Sequence, residues 1–179
     1  MLQQTKEMSD KMKNGLELRI SLEKGKGVFA TRYFKPGDAV LVGIIEQALT
    51  HNHSHASQIG ENEYVFHGGL TSKVNHCCSP NCGIKTNETG AHDLVAMKYI
   101  ETNEEITFDY AMRNYSIDYF PQKCMCGSDS CRGEITGWKD LSREKKNEYK
   151  GFVAPYLLKL DTTREQSPSI KVAREGAAV

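Results

Sequence analysis

A long apolar run is missing from these 179 residues, and nothing in them approaches the roughly 20 consecutive apolar residues that cross a bilayer as a helix. The stretch from Met1 to Asn14 is polar and lacks the apolar centre of a secretory signal. Net charge is missing as well, because 23 basic residues face 23 acidic ones. No global field would therefore draw the chain to a nucleic-acid backbone or an anionic membrane. These absences predict a soluble, intracellular protein, cytoplasmic in the simplest case and with the nucleus left open. They predict no membrane partner and no strong nucleic-acid signal. Internal repeats are also lacking, and nothing in the composition sets an oligomeric state.

What is present fits one catalytic domain with short appendages, since a chain of this length buries enough apolar surface to fold without staples. Its six cysteines fall in two tight groups: Cys77, Cys78 and Cys82, then Cys124, Cys126 and Cys131. Disulfide scaffolds are smaller and spread their cysteines along the chain, so clustered thiols here favour a metal.

Leu16, Leu18 and Ile20 alternate with polar residues, Gly25-Lys26-Gly27 breaks the run, and Val28-Phe29-Ala30 resumes it. That pattern reads as short strands around a glycine turn. A Pro36-Gly37 turn delivers the chain into the apolar run Ala39 to Ile45, a strand candidate. From Ile59 to Tyr110 the apolar stretches are short and separated by Gly, Asn, Pro and Glu-rich loops, which argues for a mainly β fold with few short helices. Near the C-terminus, Tyr149, Phe152, Val153, Tyr156, Leu157 and Leu160 follow helical spacing. Pro155 lies inside that pattern and predicts one kinked helix or two short ones. Beyond Asp161 the chain is polar and aperiodic, and disorder is expected.

The chemistry is carried by segments in a fixed order. Lys24-Gly25-Lys26-Gly27-Val28-Phe29-Ala30 lets backbone approach a ligand closely, although alone it reads as a hairpin turn. Next comes Asn75-His76-Cys77-Cys78-Ser79-Pro80-Asn81-Cys82, in which a bare His76 would read as a hydrogen-bonded core histidine. The third is Glu104-Glu105-Ile106-Thr107-Phe108-Asp109-Tyr110, by itself an aromatic strand end. The fourth, Cys124-Met125-Cys126-Gly127-Ser128-Asp129-Ser130-Cys131-Arg132-Gly133, offers three thiolates and leaves a tetrahedral zinc position open. Taken together and in this order, the segments resemble the SET methyltransferase family with its post-SET zinc motif, and the chain looks like the compact microbial SET proteins.

That resemblance implies a SET-type β fold with a pseudoknot, a zinc-bound post-SET flap and a terminal helix. The implied organisation is a flexible leader over 1–15, the SET domain over 16–115, the zinc flap over 116–138, a helical segment over 139–160 and a tail over 161–179. It implies S-adenosylmethionine as cosubstrate, contacted by Lys24, Gly25, Lys26, Gly27, Phe29, Tyr64, Asn75, His76, Tyr110 and Met125. It further implies Tyr110 at the reaction centre, with Phe108 at the position that sets how many methyls fit. One structural zinc would be held by Cys78, Cys124, Cys126 and Cys131, and Cys77 and Cys82 are left over as reduced core residues. The implied substrate is a lysine side chain in a protein; a small-molecule amine, or a silent SET module used for interaction, are the alternatives.

Tyr115, Tyr119 and Phe120 stand where family members build channel walls, or are ordinary packing. Only eight residues separate Phe66 from Asn75, where histone methyltransferases carry a longer insert, so histone specificity is not implied. His51, His53 and His55 alternate in a polar segment, Thr50 to Ser57, ahead of an expected Gln58-Ile59-Gly60 turn, and could bind a second metal, although a solvated loop is the simpler reading. Arg143, Lys145, Lys146 and Lys150 read as the wet face of the C-terminal helix.

Overall fold

The computed structural model describes residues 15–21, 25–118 and 123–166. The leader ahead of Gly15, Lys24, Tyr119, Phe120 and the chain beyond Gln166 lie outside the described residues.

The alternating residues form β1 (Leu16–Ser21), which pairs antiparallel with β2 (Gly25–Ala30), Leu16 opposite Ala30 and Ser21 opposite Gly25. One face is core, with Leu16, Val28 and Ala30 buried, while Ile20 at the sheet edge stays exposed. β10 (Glu105–Phe108) pairs with β2 on one side and, in parallel, with β7 (Asn75–His76) on the other, giving the order β1-β2-β10-β7. Thr107 stands opposite Asn75 and Phe108 opposite His76. Parallel strands cannot be joined by a hairpin. This pairing therefore depends on the chain returning from a distance, and it lays the second motif against the third, as a pseudoknot requires.

β3 (Ala39–Leu41), β9 (His92–Ala96) and β8 (Cys82–Thr86) form a second sheet, order β3-β9-β8. A third is made by β4 (Ile45–Leu49), β6 (Glu63–His67) and β5 (Ala56–Gly60), order β4-β6-β5. Two local expectations are corrected. The run Ala39 to Ile45 is divided between β3 and β4, because Gly43 is pressed against β9: a Cβ there would lie 2.3 Å from the His92 carbonyl oxygen. Gln58-Ile59-Gly60, expected as a turn, closes strand β5. Ser57 and Gln58 are buried despite their polarity. The Gln58 amide donates to the Glu61 carbonyl at 2.9 Å and accepts from the Tyr115 N–H at 3.1 Å, so its polar atoms are satisfied indoors.

Pro155 resolves the C-terminal pattern into two helices, α1 (Arg143–Glu148) and α2 (Pro155–Gln166). The ring opens α2 at its first residue, where a missing N–H costs nothing. Ser142 caps α1, its hydroxyl accepting from the Lys145 N–H at 3.2 Å. The helix also runs past Asp161 to Gln166, correcting the expectation of disorder from residue 161. Asp161 is tied down by the Trp138 indole N–H at 2.8 Å and by Lys146 Nζ at 3.0 Å, tertiary contacts that hydropathy does not register. Tyr149, Val153, Ala154 and Leu157 join Leu16, Val28, Phe34, Ile84, Leu94, Ile106 and Trp138 in the main core. Lys145 and Lys146 pair with Glu148 and Asp161 at 2.7 and 3.0 Å, as suits the wet face expected of them.

Candidate active site

The β7–β10 pairing fixes the centre of the site. Asn75 donates from Nδ2 to the Lys26 carbonyl at 3.1 Å and to Glu105 Oε1 at 2.8 Å, tying the second motif to both the first and the third. Gly27 lies directly above this junction, where a Cβ would come within 2.6 Å of Glu105 Oε1 and 3.0 Å of Asn75 Nδ2. A side chain here would have to displace the Glu105 carboxylate from its bond with Asn75. Asn81 locks the same crossing: its amide donates to Glu104 Oε1 at 2.9 Å and to the Glu105 carbonyl at 2.8 Å, and its oxygen accepts from the Thr107 N–H at 2.9 Å.

His76 is buried, and its Nδ1 accepts from the Tyr110 backbone N–H at 3.2 Å. With Nδ1 accepting, Nε2 is the ring's donor, and it faces the Cys78 sulfur at 3.4 Å. The His76 and Tyr110 rings meet edge-on with centroids 5.3 Å apart, and the Phe108 ring lies 5.1 Å from that of Tyr110. The Tyr110 hydroxyl donates to the Val74 carbonyl at 3.2 Å. Burial is the main influence on its phenol and raises the pKa, against the lowering effect of the Arg113 cation. Arg113 stacks over Phe108 at 4.9 Å and over Tyr110 at 5.6 Å, and its Nη1 donates to Ser57 Oγ at 2.8 Å.

The expected metal set is brought together. The ligand atoms of Cys78, Cys124, Cys126 and Cys131 all lie within 4.8 Å of one another, and Cys78 and Cys124 are 3.7 Å apart. A tetrahedral zinc with Zn–S bonds of about 2.3 Å places its sulfurs about 3.8 Å apart, so this donor set fits that ion. The thiols feel each other strongly. Burial pushes Cys78 up to about 11 against the Arg132 N–H that it accepts, and raises Cys124 as well. Burial also opposes the Cys126 thiolate, but hydrogen bonds from Cys78 and Ser128 outweigh it and hold that group down at about 5. Desolvated thiols at this spacing are relieved by a dication that deprotonates them. Cys82 lies apart, fully buried, its thiol driven upward by burial. His51, His53 and His55 form no such cluster; their Nδ1 atoms meet Thr50, the His55 backbone N–H and Ser54.

Other expected residues are placed differently. Gly25 opens β2 with φ +76°, and Phe29 carries the Arg19 guanidinium over its ring at 5.2 Å. Met125 is half-exposed between two of the clustered cysteines. Tyr64 lines a cavity of about 310 Å³ with Gln58, Glu61, Tyr115 and Asp118, a grouping distinct from the Asn75–His76 junction.

Three residues of the site escape a motif reading by role. Asp109, wholly buried, accepts a two-pronged bond from Arg132, Nη1 to Oδ2 at 2.7 Å and Nη2 to Oδ1 at 3.0 Å. The Tyr149 hydroxyl donates to the same Oδ2 at 2.9 Å. Asp109 and Arg132 stand inside the third and fourth motifs, and Tyr149 inside a helical pattern, yet only the folded chain brings them together.

Comparison with known proteins agrees with this arrangement. Residues 25–111 match the family model described as SET domain. The chain carries a SET domain. A Candida albicans protein named histone-lysine N-methyltransferase, H3 lysine-4 specific, is 39% identical over 71 residues, 38% of this chain and 7% of that one. A Mycosarcoma maydis protein named as H3 lysine-36 specific is 33% identical over 91 residues, 48% of this chain and 9% of that one. Crystal structures of KRYPTONITE, one in complex with mCHG DNA and SAH, the other with mCHH DNA, an H3(1–15) peptide and SAH, align with a TM-score of 0.54 over 67% of this chain. Identities there are 23% and 22%, and coverage of the KRYPTONITE chains is 28% and 29%, so the likeness is one of fold. The aligned stretch of this chain thus spans under a tenth of each of those two relatives.

Proposed function

We propose that this chain transfers a methyl group from S-adenosylmethionine to the side-chain amine of a lysine in a protein. The observation that carries the proposal is the convergence of Asn75, His76, Phe108, Tyr110 and Cys78 at one strand crossing of a SET domain. Relatives named for histone H3 lysines and fold neighbours complexed with SAH support it. They also favour a nuclear place of work over a cytoplasmic one and put histone H3 first among substrates to try. No helix among the described residues is long and apolar enough to cross a membrane.

In this reading the cosubstrate supplies a methyl already activated on a sulfonium, and the chain's residues align, desolvate and exclude water. Gly25, Lys26 and Gly27 with Asn75 and His76 form the cofactor edge, and Phe29 and Met125 contact the cofactor from beside it. Tyr110 faces the reacting groups as a protonated phenol, which its raised pKa favours, and orients the amine without serving as a base. The lysine has an ordinary pKa near 10.4 and must arrive neutral, which an apolar channel favours. Cys78, Cys124, Cys126 and Cys131 hold a structural zinc that ties the flap to the second motif. Phe108, bearing no hydroxyl, leaves space for more than one methyl.

The test is transfer of labelled methyl into histone H3 and into cell lysate, with calorimetric titration of SAH. Label in protein that is lost in Tyr110→Phe, with SAH binding kept, supports the proposal. Label confined to small molecules, or a zinc-loaded chain that binds no SAH, overturns it. Product from Phe108→Tyr should carry fewer methyls by mass spectrometry, and an unchanged count removes Phe108 from that role.

A further inference from the structure

The matched SET segment ends at residue 111, but a side chain well beyond it reaches the centre of the site. Tyr149 follows α1 and is wholly buried. A phenylalanine would fill the same space, so the hydroxyl calls for its own explanation. It points at Asp109 Oδ2 at 2.9 Å, with the Cys78 carbonyl at 3.3 Å. Asp109 sits between Phe108 and Tyr110 in the chain, and it also takes the Arg132 fork and the Ala111 N–H at 3.1 Å. The next residue's N–H, that of Tyr110, is held by His76 Nδ1. The Arg132 backbone N–H is directed at the Cys78 sulfur at 3.4 Å. One carboxylate therefore joins the second motif, the third motif, the cysteine flap and the C-terminal helices.

We infer that Tyr149 is a positioning residue: its hydroxyl fixes the Asp109 carboxylate, which sets the backbone carrying Phe108 and Tyr110 and seats Arg132 with the cysteine flap. The inference rests on the methyltransferase reading of Tyr110. It makes the C-terminal helical segment a working part of the site. A buried carboxylate is held in one geometry only when its lone pairs are all engaged, and bonds to charged groups are the strong ones. Without the phenol, Oδ2 keeps Arg132 alone, and the 108–110 backbone can shift with the flap.

The experiment compares the full zinc-loaded chain with its Tyr149→Phe variant by amide hydrogen exchange and by calorimetric titration of SAH. Loss of a hydrogen bond to a charged group predicts Tyr110 amide exchange faster by about tenfold or more, with SAH binding weakened about tenfold. The amides of Val28 and Leu94, in the main core, should be unchanged; a purely structural role would move them together with Tyr110. An unchanged Tyr110 amide, or equal acceleration at Val28 and Leu94, overturns the inference. Arg132→Lys keeps the charge but breaks the fork, and it should release the same amide; if Tyr149→Phe does not fold, an unaffected Tyr110 in Arg132→Lys overturns the inference instead. A wild-type chain that binds no SAH counts against the methyltransferase reading, while the exchange comparison still decides the role of Tyr149.

Discussion

Two buried polar groups lie in this molecule and are treated in opposite ways. Asp109 is surrounded by Arg132, Tyr149 and the Ala111 N–H, an environment assembled to keep a charge indoors. His67 and His92 are equally buried, stacked with centroids 5.5 Å apart and planes at 24°. Their one bond to each other runs from the His92 backbone N–H to His67 Nε2 at 3.0 Å, and among the described residues His67 Nδ1 and both His92 ring nitrogens meet no partner. Burial, with Arg113 adding to it, pushes His67 down to about 4 and His92 down to about 3. One site stabilises an ion and the other forbids one. The first lies beside the proposed reaction centre, where fixed charge gives fixed geometry; the second lies between the second and third sheets, where neutral rings only need to pack.

The sharpest way to break this contrast is Asp109→Ala. Removing the buried partner leaves the partly exposed Arg132 fork and the Tyr149 hydroxyl without their acceptor and should cost on the order of 3 kcal/mol. Denaturant unfolding would read the loss, and a change below about 1 kcal/mol would show that the fork is not held as its geometry indicates. Asn81→Ala comes next. Asn81 is neutral but fully engaged across the β8–β10 crossing, and its removal leaves the Thr107 N–H without its acceptor. A loss of about 2–3 kcal/mol is expected for such a buried group, smaller than for Asp109 because no charge is exposed.

How much of this was legible in the sequence differs from residue to residue. Three cysteines of the set could be read from their spacing, and the family resemblance implied Cys78 as the fourth. Pro155 could be read because its ring permits few positions, and it begins α2. Asp109 stands inside the third motif, yet its partners arrive from residues 132 and 149, and no local spacing encodes such a meeting. Tyr149 was legible only as one apolar position in a helical pattern, since periodicity registers the ring and not the hydroxyl. Ser57, Gln58 and Asp161 were misplaced for the same reason: each is polar by type and is held indoors or in helix by a bond to a distant residue.

The histidine pair gives a smaller effect with a definite sign. Both folded-state values lie below the ordinary 6.5, so between that pH and about 4 the unfolded chain binds more protons than the native one. Stability is whole above pH 6.5 and falls as pH drops through this window. His92→Phe keeps a stacking ring and removes two nitrogens without partners. At pH 7 it should be neutral or stabilising by up to about 1 kcal/mol, and it should flatten the acid slope. Urea unfolding of wild type and variant at pH 7, 6 and 5 would separate this from proton uptake by the cysteines, which both chains share. Parallel slopes would mean that the pair does not carry the acid sensitivity.

The smallest effect sharpens the contrast from outside. Lys145 and Glu148 form an ion pair at 2.7 Å on the surface of α1, shorter than the 3.0 Å bond from His92 to His67 and as short as the closest bond at Asp109. If distance governed, Lys145→Ala would rival Asp109→Ala. Glu148 is about half exposed, however, so water and salt screen the pair and its long side chains give up entropy to meet. The expected loss is about 0.5 kcal/mol or less, vanishing at high salt. Thermal unfolding in low and high salt would measure it. A loss comparable to that of Asp109→Ala would mean that burial is not what separates the two sites, and that Asp109 is no more a charge-holding centre than the surface pair.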